Sequence, residues 1–377
     1  MALILRFPLS LLASGIVTLG TPQLPTTSIP PHISAQAAIL VDERTGAILY
    51  EKNAFMQKDP ASITKMMTAL LVIEQGHLHR VVTVSPQAAS TIGSSMHIRA
   101  RQRYTVMDLL RGLLLRSGND AAVALAETDA GSVQRFVAEM NIKAQELGAF
   151  NTAFENPNGL TAPGHYSSAY DLSVIARAAL DLPTFRKLVG TREDVVTEER
   201  SGNKRRFHNT NQLLYSFPGA DGIKTGTTNA AGKCLAASAT QGGRQLIAVV
   251  LNSPHRFYDA SRLLRWGFQN STTAIAVKPG DPVAMVPVLH GQAAFVATGV
   301  RSPVWVTYQR DHLFQIHLAA PRYLTAPVVA HRMVGRVVVT ASDQPPETAP
   351  LVTLQTVPKK FLRQSWWQWI RHFIHGN

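Results

Sequence analysis

Apolar positions along the chain change their period several times, and each change marks an element. In "AAILVDERTGAILYEKN" two short apolar runs flank Glu43-Arg44-Thr45-Gly46, which predicts a β-hairpin. Residues 62–75 are almost wholly apolar and predict a helix stopped at Gly76. "YTVMDLLRGLLLRSGNDAAVALAET" predicts two helices broken at Ser117-Gly118-Asn119, with Asn119 or Asp120 capping the second. Val133, Phe136, Val137, Met140, Ala144 and Leu147 recur at helical spacing and give a further helix one buried face. "YDLSVIARAAL" predicts another. From residue 222 the pattern turns to strands in "GIKTGTT", "KCLAASAT" and "RQLIAVVLN", followed by a helix in "FYDASRLLRWGF". The first and last strands are expected to form one antiparallel sheet around a helical middle, an α+β class.

After about residue 271 the chain consists of short β-branched runs punctuated by Pro and Gly, which predicts a small all-β domain over 271–356. Both ends read differently. Residues 1–21 hold a single charge, Arg6, and an apolar run too short to span a bilayer, the pattern of a cleaved secretion signal. Residues 357–377 place Leu362, Trp366, Trp369, Ile370 and Phe373 on one helical face. Lys359, Lys360, Arg363 and Arg371 add charge unopposed by any acid. That combination predicts an amphipathic helix lying on an anionic membrane surface. Residues 22–270 are left as the main domain.

Composition sharpens this only in part. With 377 residues and 45% apolar side chains, two packed domains are affordable in size. One cysteine, Cys234, rules out an internal disulfide. The net charge of +13 would suit nucleic acid or anionic lipid, and export removes nucleic acid as a partner. The expected location is the outer, periplasmic face of the cytoplasmic membrane.

Candidate chemistry begins with what is missing. The sequence has no H-E-x-x-H and no G-x-S-x-G. What remains, in order, is Ser62-x-x-Lys65, Ser117-Gly118-Asn119 and Lys224-Thr225-Gly226. Residues three apart on a helix share a face, so Lys65 reaches the Ser62 hydroxyl. A serine is a poor nucleophile until a base removes its proton. Lysine serves as that base when apolar burial and a second cation depress its pKa, which Ile63, Met66, Met67 and Lys224 are placed to do. Ser201-Gly202-Asn203-Lys204 matches the same short patterns, but sits among charges with no apolar helix behind it, as a surface loop would.

These motifs, with "AILVDERTGAILYEKNAFMQKDPASITKMMTALL", "FENPNGL", "NTNQLL" and "GADGIKTGTTNAAGKCLAASA", resemble the low-molecular-mass penicillin-binding proteins. Those are serine D-alanyl-D-alanine carboxypeptidases of peptidase family S11. The resemblance implies a β-lactamase/transpeptidase-like catalytic domain, an antiparallel sheet flanked by helices. It implies Ser62 as acyl-ester nucleophile, Lys65 as general base and Ser117 as proton relay. Asn119 would hold the substrate amide, Lys224 and Thr225 would bind the substrate's terminal carboxylate, and Gly226 and Thr227 would continue that substrate-binding strand. The amides of Ser62 and Thr227 would form the oxyanion hole, and Arg256 would assist carboxylate recognition. The substrate would be the peptidoglycan stem peptide, β-lactams would acylate the same serine, and neither metal nor organic cofactor is required. A class A β-lactamase would add a deacylating glutamate in E-x-x-x-N; the match here is Glu199 to Asn203, inside the charged loop.

Overall fold

The structure, a computed structural model, describes residues 29–309, 314–341 and 344–360. The expected secretion signal, and the tail beyond residue 360, lie outside the described residues. Two compact units divide at Ser271/Thr272.

In the first unit β1 (Ala37–Asp42) and β2 (Ile48–Lys52) form the expected hairpin. Its turn is set by Asp42, whose Oδ1 accepts from the amides of Arg44 and Thr45, and by Gly46 at φ 73°. A 3₁₀ turn, Ala61–Thr64, runs directly into α1 (Lys65–Glu74). A small ribbon of β3 (Val81–Thr83) and β4 (Arg103–Thr105) brackets the short α2 (Pro86–Ala89). Then come α3 (Val106–Leu114), α4 (Asn119–Ala130), α5 (Val133–Glu146), α6 (Ala169–Leu180) and α7 (Pro183–Gly190). A second ribbon, β5 (Glu193–Thr197) and β6 (Lys204–His208), precedes α8 (Leu213–Ser216). The unit closes with β7 (Ala220–Thr228), β8 (Gly232–Gln241), β9 (Arg244–Leu251) and α9 (Arg256–Asn270).

The main sheet is antiparallel with order β2-β1-β9-β8-β7, so the first strands and the last do meet. It is buried on both faces. Ile39, Val41, Ala236, Ile247 and Val249 pack with α1, α3, α4 and α6 on one side. Leu40, Leu235, Leu246, Ala248 and Val250 pack with Leu263, Leu264 and Trp266 of α9 on the other. Two-sided burial is why β8 and β9 read as continuous apolar runs instead of alternating ones. Asp259 of α9 ties the chain start down, accepting from Ser34 Oγ at 2.7 Å and the Ala35 amide at 2.9 Å.

The second unit is all β: β10 (Ser271–Val277), β11 (Ala284–Leu289), β12 (Phe295–Gly299), β13 (Val304–Gln309), β14 (Phe314–Ala319), β15 (Leu324–Thr325), β16 (Met333–Ala341) and β17 (Glu347–Thr353). Six of them form a sheet of order β14-β16-β17-β12-β11-β15, and β10 pairs with β13.

Two expectations need correcting. Residues 357–360, where the tail helix was to begin, are extended: Val357 bridges Val328 and Lys359 bridges Gly291. Pro358 holds the preceding residue out of the helical region, and Val357 is buried in the β unit's core. The cap of α4 is Gly118, not Asn119 or Asp120, because both of those side chains are engaged elsewhere.

Candidate active site

Ser62 sits in the 3₁₀ turn before α1, after Ala61 at φ 48°. The Lys65 side chain curls back over one turn and its Nζ lies 2.8 Å from Ser62 Oγ. Lys65 is fully buried, as are Ile63, Met66 and Met67 around it. Nζ also donates to Asn119 Oδ1 at 2.7 Å and to the Asn158 carbonyl at 2.6 Å. Those two partners can only accept. A neutral amine has two protons and one lone pair, so with both protons held its lone pair faces the Ser62 hydroxyl. Burial pulls the Lys65 pKa well below the ordinary lysine value, and the positive charge of Lys224 pulls it further; Asp120 opposes both.

Ser117 and Asn119 come from the break between α3 and α4. Ser117 is buried and has φ 65°, a left-handed backbone that costs a non-glycine residue about 1 kcal/mol. Asn119, the first residue of α4, accepts from Lys65 at its Oδ1 and donates from its Nδ2 to the Ile92 carbonyl at 2.7 Å. Asp120 secures the loop that passes in front: it accepts from Ser95 Oγ and from the amides of Met96 and Ile98.

The other wall is β7. Lys224 is buried, with Nζ donating to the Thr225 carbonyl at 3.1 Å. Burial, and then the Arg256 charge, lower its pKa to about 7. Thr225 Oγ1 is 2.7 Å from Thr210 Oγ1. Gly226 lets the strand graze the nucleophile's turn: a Cβ there would stand 3.0 Å from the Ser62 amide nitrogen. Arg256 begins α9 and spreads its Nη1 over the Gly226 carbonyl and Thr227 Oγ1, both at 2.8 Å. Lys65 thus contacts both Ser62 and Asn119, Arg256 touches Gly226 and Thr227, and the Lys224 charge is felt at Lys65.

One wall was not foreseen residue by residue. The segment 152–167 supplies the Asn158 carbonyl to Lys65 and the Pro157 carbonyl to Thr68 Oγ1 at 2.6 Å. Gly159, at φ 83°, is pressed on the nucleophile's turn so closely that a Cβ would fall 1.9 Å from the Ala61 carbonyl oxygen. His165 joins this segment to the turn: its Nδ1 accepts from the Glu155 amide at 3.0 Å and its Nε2 faces Thr64 Oγ1 at 2.9 Å. With Nδ1 accepting, the proton is on Nε2 and the ring is neutral; burial lowers its pKa to about 4. The signal in the sequence was "FENPNGL", whose Asn-Pro and Asn-Gly pairs mark tight turns.

The second copy of the motif is elsewhere. Ser201, Gly202 and Asn203 form the exposed β5–β6 turn, where Ser201 Oγ donates to Glu198 at 2.5 Å. Glu199 and Asn203 belong to the same turn.

The chain matches the family described as D-alanyl-D-alanine carboxypeptidase over residues 24–255 and the C-terminal domain of penicillin-binding protein 5 over residues 272–359. It is 37% identical to the D-alanyl-D-alanine carboxypeptidase DacD of Escherichia coli over 365 residues, 92% of each chain. It is 34% identical to DacF of Bacillus subtilis, covering 89% of this chain and 90% of that one. Among solved structures, penicillin-binding protein 5 from Haemophilus influenzae superposes with a TM-score of 0.76 at 32% identity, covering 88% of this chain and all of the other. The carboxypeptidase DacD from Francisella tularensis gives 0.70 at 28% identity, over 90% and 98%.

Proposed function

Because the chain belongs to the serine D-alanyl-D-alanine carboxypeptidases of peptidase family S11, we propose that Ser62 carries the acyl group in removing the terminal D-alanine from peptidoglycan stem peptides. The observation that carries this assignment is the 2.8 Å contact between Ser62 Oγ and a buried Lys65 whose other two polar contacts are acceptors. Ser62 Oγ attacks the carbonyl of the D-Ala–D-Ala bond as its proton passes to Lys65 Nζ. The carbonyl oxygen, now negative, is held by the amides of Ser62 and Thr227 on the two abutting backbones. The C–N bond breaks as the proton on Lys65 passes through Ser117 to the amine, and D-alanine departs, leaving Lys65 neutral. Water then attacks the ester, giving a proton to Lys65, which returns it to Ser62 Oγ as the acyl group leaves.

Lys224, Thr225 and Arg256 supply the cationic, hydroxyl-bearing wall that a terminal carboxylate needs. Asn119, placed between Lys65 and the loop at Ile92, orients both the base and the incoming amide. A β-lactam presents the same carbonyl and carboxylate, so it acylates the same serine. The decisive assay is D-alanine release from a D-Ala–D-Ala peptide: the parent protein turns over and Ser62→Ala does not. Turnover retained in Ser62→Ala removes the assignment.

We further propose that residues 1–21 direct export and that the tail holds the enzyme on the outer face of the cytoplasmic membrane. The aromatic-basic composition of 357–377 supports this reading. No helix of the described residues is long and apolar enough to cross a membrane. On this reading residues 22–270 are the peptidase, the β-rich domain runs from 271 to 360, and the segment beyond residue 360 is the attachment.

A further inference from the structure

In β11 the side chains alternate. Val286 and Val288 enter a small core with Val296, Leu324 and Val328, while Met285, Pro287 and Leu289 point the other way. Register extends that outer row across three strands. Met285 stands opposite Ala297, Pro287 opposite Phe295, and Leu289 beside Thr325 of β15. Tyr323, two residues before Thr325, follows the same alternation. An outward sheet face is ordinarily polar. Here Met285, Leu289, Phe295 and Tyr323 are 56%, 43%, 49% and 57% exposed, and they are the large side chains of the row.

Cations stand beside this row: Arg322 directly precedes Tyr323, and Lys359 bridges Gly291, two residues after Leu289. The described chain also ends there: the Lys360 amide donates to the carbonyl of His290, the residue after Leu289. The segment "FLRQSWWQWIRHFIHGN" follows Lys360 directly in the sequence.

We propose that the outer face of β12, β11 and β15 is a second lipid-contacting surface, seated on an anionic bilayer beside the tail. The inference rests on the reading that the chain is held at a membrane. Aromatic and long apolar side chains rimmed by cations enter the headgroup boundary, where the rings and methyls leave water and the cations meet lipid phosphate. Because Lys360 is held at His290, the residue after Leu289, a tail bound at the bilayer keeps this face within a few residues of the lipid. Two weak attachments on one body then act as a strong one.

The test uses the full chain and vesicles of phosphatidylglycerol and phosphatidylcholine. Leu289→Ser with Phe295→Ser alters the face; Trp366→Ser with Trp369→Ser alters the tail. The face variant is expected to lower vesicle partitioning at least tenfold. A polarity-sensitive dye on Thr325→Cys is expected to report water without vesicles and an apolar setting with them. Partitioning unchanged in the face variant but lost in the tail variant overturns the second surface and leaves the tail reading intact. Partitioning lost in the face variant but unchanged in the tail variant keeps the surface and removes the tail. A dye already in an apolar setting without vesicles means that the tail or a second copy covers the face, and the proposal falls.

Discussion

Asn119 Oδ1 accepts from Lys65 Nζ at 2.7 Å while its own amide nitrogen is fixed on the Ile92 carbonyl. The amide cannot turn over without losing both contacts, so an acceptor always faces the lysine. The consequence is an amine whose protons are spoken for and whose remaining position points at Ser62.

Lys65 therefore works only when neutral. Acylation by a chromogenic cephalosporin should rise with pH along an acidic limb whose half-point lies far below the ordinary lysine value, as the burial and the Lys224 charge require. Lys65→Arg should lose at least ~100-fold in acylation rate, since arginine does not give up its proton. Asp120 raises the Lys65 pKa, so Asp120→Asn should move the acidic limb to lower pH. Rapid-mixing rates across pH check all three.

Labelled penicillin should mark one site. Mapping of the adduct is expected to return the peptide containing Ser62. Ser62→Ala abolishes the label. Ser201→Ala leaves it intact, because Ser201 lies in the exposed β5–β6 turn with Glu198 as its partner and no lysine behind it.

Gly159→Ala should damage catalysis more than its size suggests. Its Cβ would overlap the Ala61 carbonyl, and the turn carrying Ser62 would have to move. A displacement of about 1 Å is enough for a loss of roughly 100-fold in turnover. Gly202→Ala is the control: φ is also positive, but nothing lies within 4 Å, so about 1 kcal/mol of strain is expected with normal D-alanine release.

His165 makes stability depend on acid. Its ring is neutral in the fold with a pKa of about 4, against 6.5 in the unfolded chain. Between those values the unfolded chain binds a proton that the folded one refuses, so stability is whole above pH 6.5 and falls toward pH 4. A shift of that size is worth on the order of 3 kcal/mol. His165→Gln should flatten this part of the pH profile in urea titrations. An unchanged slope would falsify the assignment of the neutral ring.

What could be read from the sequence was whatever is carried by side chains at short range. The β1–β2 hairpin, α1 and the Ser62–Lys65 pair are local patterns, and each emerged where expected. The lysine's other acceptor, the Asn158 carbonyl, is backbone, which no residue type announces. The β5–β6 ribbon escaped because its strands are charged: Lys204, Arg205 and Arg206 read as a loop, yet Arg205 lies across Tyr104 and donates to its hydroxyl at 2.6 Å. Asn119 and Asp120 were expected to cap α4 because such residues usually do. Here long-range partners outbid the helix end.

Strand β1 lies between β2 and β9, with Ala37 opposite Leu251. A chain made or threaded from its N-terminus must therefore hold its first strand unpaired on one edge until more than 200 residues later have emerged. Pairings so distant in sequence form late and slowly. Ser62 and Lys65 are among the early residues, but β7, which closes their site, arrives nearly as late as β9. Until those strands are made, the wall that carries Lys224, Thr225 and Gly226 is missing, so an unfinished chain holds its serine and lysine without a complete site around them.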